Sequence, residues 1–209
     1  MKKISFSQLE KARNNPKAFA KSLDNPDGST PRFSKFMAWQ LAVFEYHKQK
    51  SNISKAINYF DSLFSRNFAN NTKNKIEKEE WIEQLEAYTL DEIKRKLICV
   101  EHKKRISIPL TGKIRLGGEL PLIKMNNKLG YSVYFFSRSN TPWEDELRFP
   151  IIQNYISQVL YNVDLSEVEV GIYSLDSKKH FQNTYKLNEV QEALKELTAI
   201  GNAVSLALK

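Results

Sequence analysis

The chain has 209 residues, of which 41% are hydrophobic and 27% charged, with seven glycines, seven prolines and one cysteine. This composition is that of an ordinary globular protein and excludes collagen-like chains, a disulfide framework and a multi-cysteine zinc site. The net charge is +8, and the excess lies in residues 1–128, which hold 25 basic and 14 acidic side chains. Such a region predicts either a surface for a polyanion such as nucleic acid or a solvated, lysine-rich face.

No run of about 18 apolar residues is present, so the sequence predicts no transmembrane helix and no membrane partner. The opening segment MKKISFSQLEKARNN also lacks the apolar core of a signal peptide. We therefore expect a cytoplasmic protein. The chain is predicted to form one domain, residues 1–209, with a helical part over residues 1–97 and an α/β core over residues 98–209.

The first 97 residues show helical spacing of apolar side chains, beginning with the segment ISFSQLEKARNNPKAFAKSL. The period changes near residue 98. Three runs rich in β-branched and aromatic residues follow, separated by Gly, Asn and Pro. They are EHKKRISIPL (101–110), GKIRLGGELPLIKM (112–125) and GYSVYFFSRS (130–139). These runs predict an antiparallel meander.

Helical periodicity returns over residues 148–163, and VEVGIYSL (168–175) predicts a further strand. A long amphipathic helix follows. The order of elements predicts an α/β fold, in which a small mixed β-sheet, the meander plus a further strand, is flanked by helices.

Common catalytic and metal-binding motifs are not found in the sequence. It has no phosphate-binding GxxxxGK[ST] loop and no Gly-x-Ser-x-Gly nucleophile motif. The histidines His47, His102 and His180 lack metal-ligand spacing and are predicted as surface or boundary residues. Cys99 lies in an apolar run and is predicted to be a buried, inert thiol. Neither a metal site nor a cofactor is predicted.

The order of the elements and four short segments resemble the PD-(D/E)XK nuclease superfamily, in its branch of RecB-type and Cas4-like domains. The segment ISFSQLEKARNNPKAF (4–19) is similar to the opening helix of that branch, and VEHKKRISIPLTGKIRLGGELPLI (100–123) to its first hairpin. The run at 130–139 resembles the next strand, and WEDELRFPIIQNYISQVLYNV (143–163) resembles the helix after the active site. The resemblance implies a restriction-endonuclease-like fold.

At three positions the catalytic motif of the superfamily is degenerate. Pro121 stands where the first strand motif has an aspartate, Phe135 where the second has a carboxylate, and Ser137 where it has a lysine. The resemblance implies that the two carboxylates hold Mg²⁺ or Mn²⁺, which activates water and neutralises charge on the scissile phosphate. None of the three residues can do this, so catalytic residues are not expected here.

Carboxylates can migrate in this superfamily, and five residues are candidates for a displaced site. They are Glu101, Glu119, Arg138 as a substitute for the lysine, and Gln153 and Tyr155 on the helix after the active site. One carboxylate alone cannot form a cage for a hard cation. If the carboxylates have migrated, the protein is an active nuclease that uses Mg²⁺ or Mn²⁺, and this interpretation stays open as an alternative.

The first interpretation is a catalytically degenerate nuclease-like protein that binds DNA, or a partner protein, in DNA processing or phage defence. Five basic residues of the predicted hairpin would contact phosphates, which give affinity without reading sequence. They are Lys103, Lys104, Arg105, Lys113 and Arg115. Two alternatives stay open: the active nuclease, and an interaction scaffold that does not bind nucleic acid.

Overall fold

A computed structural model describes residues 1–24, 32–126, 130–139 and 142–208. The strands are β1 (Lys2–Ser5), β2 (Ile98–Pro109), β3 (Ile114–Met125), β4 (Tyr131–Ser137), β5 (Val168–Ser174) and β6 (Lys179–Asn183). The helices are α1 (Leu9–Asn14), α2 (Pro16–Asp24), α3 (Lys35–Lys48), α4 (Ile53–Asn67), α5 (Thr72–Arg95), α6 (Arg148–Tyr155) and α7 (Leu187–Ala207). A π-helical segment (Ile156–Tyr161) continues α6, and short 3₁₀ helices precede α1 and β5.

The six strands form one mixed sheet. Strands β2, β3 and β4 pair antiparallel, and β5 lies parallel to β4. This confirms the predicted meander, the further strand and the mixed α/β fold. Strand β3 has β2 along one edge, and β1 followed by β4 along the other. Strand β6 completes the sheet beside β5.

Helices cover both faces of the sheet in two hydrophobic layers. Helices α1, α2, α6 and α7 pack on one face, and we call this the first layer. Helices α3, α4 and α5 pack on the other face, against the end of β3 and against β4 and β5, and we call this the second layer. The second layer leaves the start of β3 uncovered. Its absence there is seen in the exposure of Arg105, Arg115 and Glu119 on that face.

The prediction of a helix from residue 4 and of a wholly helical part over residues 1–97 was wrong at its start. Residues 2–5 form β1, which pairs parallel with β3 and buries Ile4 completely. Apolar residues at helical spacing do mark α1, where Leu9 and Ala12 are buried. Pro16 then begins α2, as expected for a residue whose fixed φ suits the first position of a helix.

Candidate functional site

Phe135 occupies a strand position where the resemblance implies a metal-binding carboxylate. Its ring packs edge-on against Phe6 at 6.2 Å and against Phe149 at 5.8 Å between centroids. The Arg148 guanidinium lies 4.8 Å from the Phe135 ring centroid, and its Nε is 2.7 Å from Oε2 of Glu146. Burial lowers the pKa of Arg148 and raises the pKa of Glu146. An aromatic cluster and an ion pair therefore fill this position.

Pro121 lies where β3 changes the side to which its residues point. In a regular strand, residues two apart share one face. Leu120 packs in the first layer, whereas Leu122 packs in the second, so the alternation shifts at Pro121. The register places Lys103 of β2 opposite, and Lys103 has a left-handed backbone with φ of 53°. The proline, which has no N–H to donate, therefore sits at an irregular pair of residues.

Ser137 ends β4, Arg138 follows it, and the two side chains have different partners. The Ser137 hydroxyl donates to the carbonyl oxygen of Ser139 at 2.7 Å. The Arg138 guanidinium lies 4.9 Å from the ring centroid of Phe36 on α3. Neither contact matches the role of the motif lysine, which helps to stabilise phosphate charge.

Glu101 and Glu119 lie on opposite faces of the sheet. Glu101 pairs with Lys104 at 2.8 Å and accepts a hydrogen bond from the Tyr161 hydroxyl at 3.0 Å, beside the first layer. The bond from Lys104 lowers the pKa of Glu101. Glu119 is exposed on the other face, opposite Arg105 in the β2–β3 register. The two carboxylates therefore cannot share one cation, and the described residues contain no group of three or more potential metal ligands.

Gln153 is buried and fully bonded to the backbone. Its amide nitrogen donates to the carbonyl oxygens of Leu165 at 3.0 Å and Tyr185 at 3.1 Å, and its Oε1 accepts from the Tyr185 N–H at 2.8 Å. These bonds tie α6 to the segments that precede β5 and α7. Tyr155, the other candidate of this helix, is half-buried against the first layer. The hydrogen bonds of Gln153 and the packing of Tyr155 therefore stabilise the fold.

Three basic side chains meet on the uncovered part of the sheet. Lys3 and Arg115 are register partners, and Arg105 lies on the same face of the next strand. They line an open cleft of about 470 Å³ together with Ser107 and Glu119. Gly117 also lines it, and a Cβ there would stand 3.0 Å from Cε of Lys3. The glycine therefore leaves room for the lysine side chain to cross the strand. We call Lys3, Arg105 and Arg115 the basic cleft.

The other predicted phosphate contacts are distributed around this cleft. Lys103 lies beside it, with its Nζ 4.6 Å from the ring centroid of Phe44 on α3. Lys104 points to the opposite face, where it pairs with Glu101. Lys113 is exposed in the turn between β2 and β3. Two of the five predicted residues thus line the cleft, and Lys3 was missed because residues 1–97 were predicted as a helical part, separate from the sheet.

A buried charged cluster lies between the second layer and the sheet, and sequence reasoning missed it. Nζ of Lys124 is 2.5 Å from Oε1 of Glu92 and donates to the Tyr88 hydroxyl at 3.1 Å. His47 Nε2 is 2.6 Å from the same hydroxyl, and His180 Nε2 is 3.2 Å from Oε1 of Glu92. The side chains of both histidines are at most 3% exposed. The prediction of surface or boundary histidines was therefore wrong for these two, while His102 is exposed.

His47 should make the stability of the protein fall in acid. Burial, followed by repulsion from Lys124 and His180, lowers its pKa to about 2, against about 6.5 in the unfolded chain. The unfolded state therefore binds a proton first, and stability is lost as the pH falls below about 6.5. Between pH 7 and pH 5 this loss is about 2 kcal/mol for one histidine.

His47→Gln tests this expectation, because glutamine can still bond the Tyr88 hydroxyl but does not titrate. Urea unfolding at pH 7 and pH 5 should show a smaller loss of stability in the variant than in the wild type. Equal losses in both proteins would contradict the assignment of a neutral, buried His47.

Comparison with known proteins shows the fold of this chain. The "Putative exonuclease" of Eubacterium rectale, a crystal structure, superposes on it with a TM-score of 0.58 and 11% sequence identity, covering 100% of this chain and 83% of that one. The similarity shows a nuclease-like fold. A second solved structure, that of SSO0001, has a TM-score of 0.28 and 10% identity over 93% of this chain and 86% of that one, and carries no argument.

No protein-family model and no curated protein matches the sequence. Within the described ranges, no helix combines the length and apolar character needed to cross a bilayer.

Proposed function

We propose that this protein binds DNA through the basic cleft and does not cleave it, acting in the cytoplasm in DNA processing or phage defence. The observation that carries the proposal is the meeting of Lys3, Arg105 and Arg115 on a part of the sheet that the second layer leaves open. Cations on an exposed sheet face suit phosphate contacts, which give affinity without sequence preference. The nuclease-like fold is consistent with this role.

The absence of cleavage follows from the chemistry at the degenerate positions. Pro121 and Phe135 offer no ligand for a metal, and Ser137 holds no charge. The acids Glu101 and Glu119 point to opposite faces of the sheet. Phosphodiester hydrolysis by this superfamily requires a held divalent cation. Binding should therefore need neither Mg²⁺ nor Mn²⁺.

The wild-type protein should bind labelled DNA, and log Kd should rise linearly with log salt concentration. Each phosphate contact contributes a slope of about 0.9 on duplex and about 0.7 on single strands. Fluorescence anisotropy between 50 and 200 mM salt, roughly the range over which such contacts change affinity most visibly, measures the slope. The same samples, incubated with Mg²⁺ or Mn²⁺ and run on a denaturing gel, should keep the DNA intact.

Each alternative predicts a different result in this experiment. Metal-dependent loss of the label would show an active nuclease with displaced carboxylates. Absence of titratable binding at low salt would favour a scaffold that recognises a partner protein instead.

A further inference from the structure

A second cavity opens where the carboxyl ends of the parallel strands β4 and β5 meet α5. The two strand ends are joined by a hydrogen bond from the Leu175 N–H to the Ser137 carbonyl oxygen at 3.0 Å. The cavity has a volume of about 340 Å³, at the lower end of the range for small-ligand sites. It is lined by Glu80, Trp81, Gln84, Arg138, Leu175 and Asp176.

Trp81 gives the cavity a rigid aromatic wall. Its ring centroid lies 6.3 Å from that of Phe36 and 6.4 Å from that of Trp39. Phe36 in turn stacks on Trp39, which is completely buried. A tryptophan held in this way can accept a flat ring against its remaining surface without first becoming ordered.

The polar groups of the cavity are mixed in kind. Oε1 of Gln84 is buried and has no hydrogen-bond partner among the described residues. An unpaired buried acceptor is costly, about 1–3 kcal/mol, so a ligand N–H donated to it would be favourable. Glu80 and Asp176 supply further acceptors, and Arg138 supplies N–H donors. The ligand that fits is flat, donates N–H groups and also carries an acceptor.

A nucleobase has this combination of a flat ring, N–H donors and carbonyl or ring-nitrogen acceptors. We infer that this cavity binds one unpaired base of a single strand, stacked on Trp81 and bonded to Gln84. The inference rests on the proposed function and specifies its ligand. A base paired in a duplex cannot enter, because its edge and both faces are already occupied.

Lys103, which lies beside the basic cleft, and Arg138, which lines the cavity, both contact α3. Arg138 lies over Phe36 and Lys103 over Phe44, which are eight residues apart on α3. Eight residues of helix span about 12 Å. A strand bound beside the basic cleft at Lys103 therefore needs to extend over a distance of about this order to reach Arg138 at the cavity.

Two oligonucleotides of equal length test the inference. One is a single-stranded mixed-sequence DNA, and the other is the same sugar-phosphate chain with abasic sites. Their phosphates are equal in number, so the difference in Kd isolates the contribution of the bases. Stacking on an aromatic side chain contributes roughly 1–3 kcal/mol per base, so the wild type should bind the DNA about 5- to 150-fold more tightly.

Three substitutions in the cavity and one control outside it localise this difference. Trp81→Ala should abolish it, and Trp81→Phe, which preserves packing against Phe36 better, should retain part of it. Gln84→Met should reduce it while leaving the thermal midpoint unchanged or raised, because its Oε1 has no partner to lose. Gln191→Met, the same change at an exposed position on α7, should leave it unaffected.

The failure of this inference differs from the failure of the proposed function. If the wild type binds both oligonucleotides equally, or if Gln84→Met and Trp81→Phe keep the full difference, the base site is wrong and the basic cleft stands. If neither oligonucleotide binds, both proposals fail.

Discussion

Lys124→Met should lower the free energy of unfolding by about 3–5 kcal/mol, the usual cost of removing one member of a buried ion pair. The substitution leaves the Glu92 carboxylate, which is 4% exposed, without the ammonium group at 2.5 Å. It also removes the donor to the Tyr88 hydroxyl. Methionine has nearly the volume of lysine, so the effect reports charge rather than packing.

A double variant tests whether the lost stability comes from the unpaired charge of Glu92. Lys124→Met combined with Glu92→Leu removes both charges and should recover most of the lost stability, since a buried pair contributes little over apolar residues of similar volume. Lys78→Met is the matched control, because Lys78 pairs with Asp61 at 2.6 Å on the surface. That change should cost no more than about 1 kcal/mol.

Urea unfolding at pH 7 measures all three variants. A loss below about 1 kcal/mol for Lys124→Met would show that the buried lysine is neutral or that water reaches the pair. A double variant as unstable as the single one would show that Glu92 is required by its histidine neighbours instead.

The meander could be predicted because strands β2, β3 and β4 follow one another and carry the signal of their own period. Strand β1 could not, because only four residues, KKIS, alternate before helical spacing begins at Phe6. Its pairing with β3 joins residues more than 100 positions apart. Strand β6 is also short and largely polar, KHFQN, and lies at the edge of the sheet, where no burial pattern is imposed.

The sequence indicates the basic cleft more fully than it indicates the buried charged cluster. Because side chains alternate between the two faces of a strand, the sequence predicts that Arg105 and Arg115 lie on one face of the β2–β3 hairpin. The shift of this alternation at Pro121 cannot be predicted from residue types. The buried cluster joins α3, α5, β3 and β6, so its members are far apart in the chain. One signal was available: Lys124 is the single charge in the apolar run LPLIKM, and a lysine inside a buried strand requires an acid beside it.

Replacing Lys3, Arg105 and Arg115 together by glutamine should weaken DNA binding about 10²- to 10³-fold at about 0.1 M salt. Affinity varies with salt concentration to the power of about −0.9 per phosphate contact on duplex, so each lost contact costs nearly tenfold at this concentration. The log–log slope should become shallower by about two to three units. Glutamine keeps part of each side-chain stem, including that of Lys3 across Gly117.

Two controls distinguish a contact surface from a loss of overall charge. Lys11, Lys17 and Lys195 are exposed on α1, α2 and α7, which pack on the opposite face of the sheet, and their joint replacement by glutamine removes the same charge. If binding is local to the cleft, the slope stays at its wild-type value.

Within β2 itself, Lys104→Gln and Arg105→Gln form a matched pair of neighbouring changes. Lys104 pairs with Glu101 on the far face and Arg105 lines the cleft, so only Arg105→Gln should weaken binding. Equal effects of the two single changes, or of the two triple changes, would mean that DNA responds to the net charge of +8 rather than to a defined surface. The stability of all four variants should stay near that of the wild type, because exposed charges contribute little to folding.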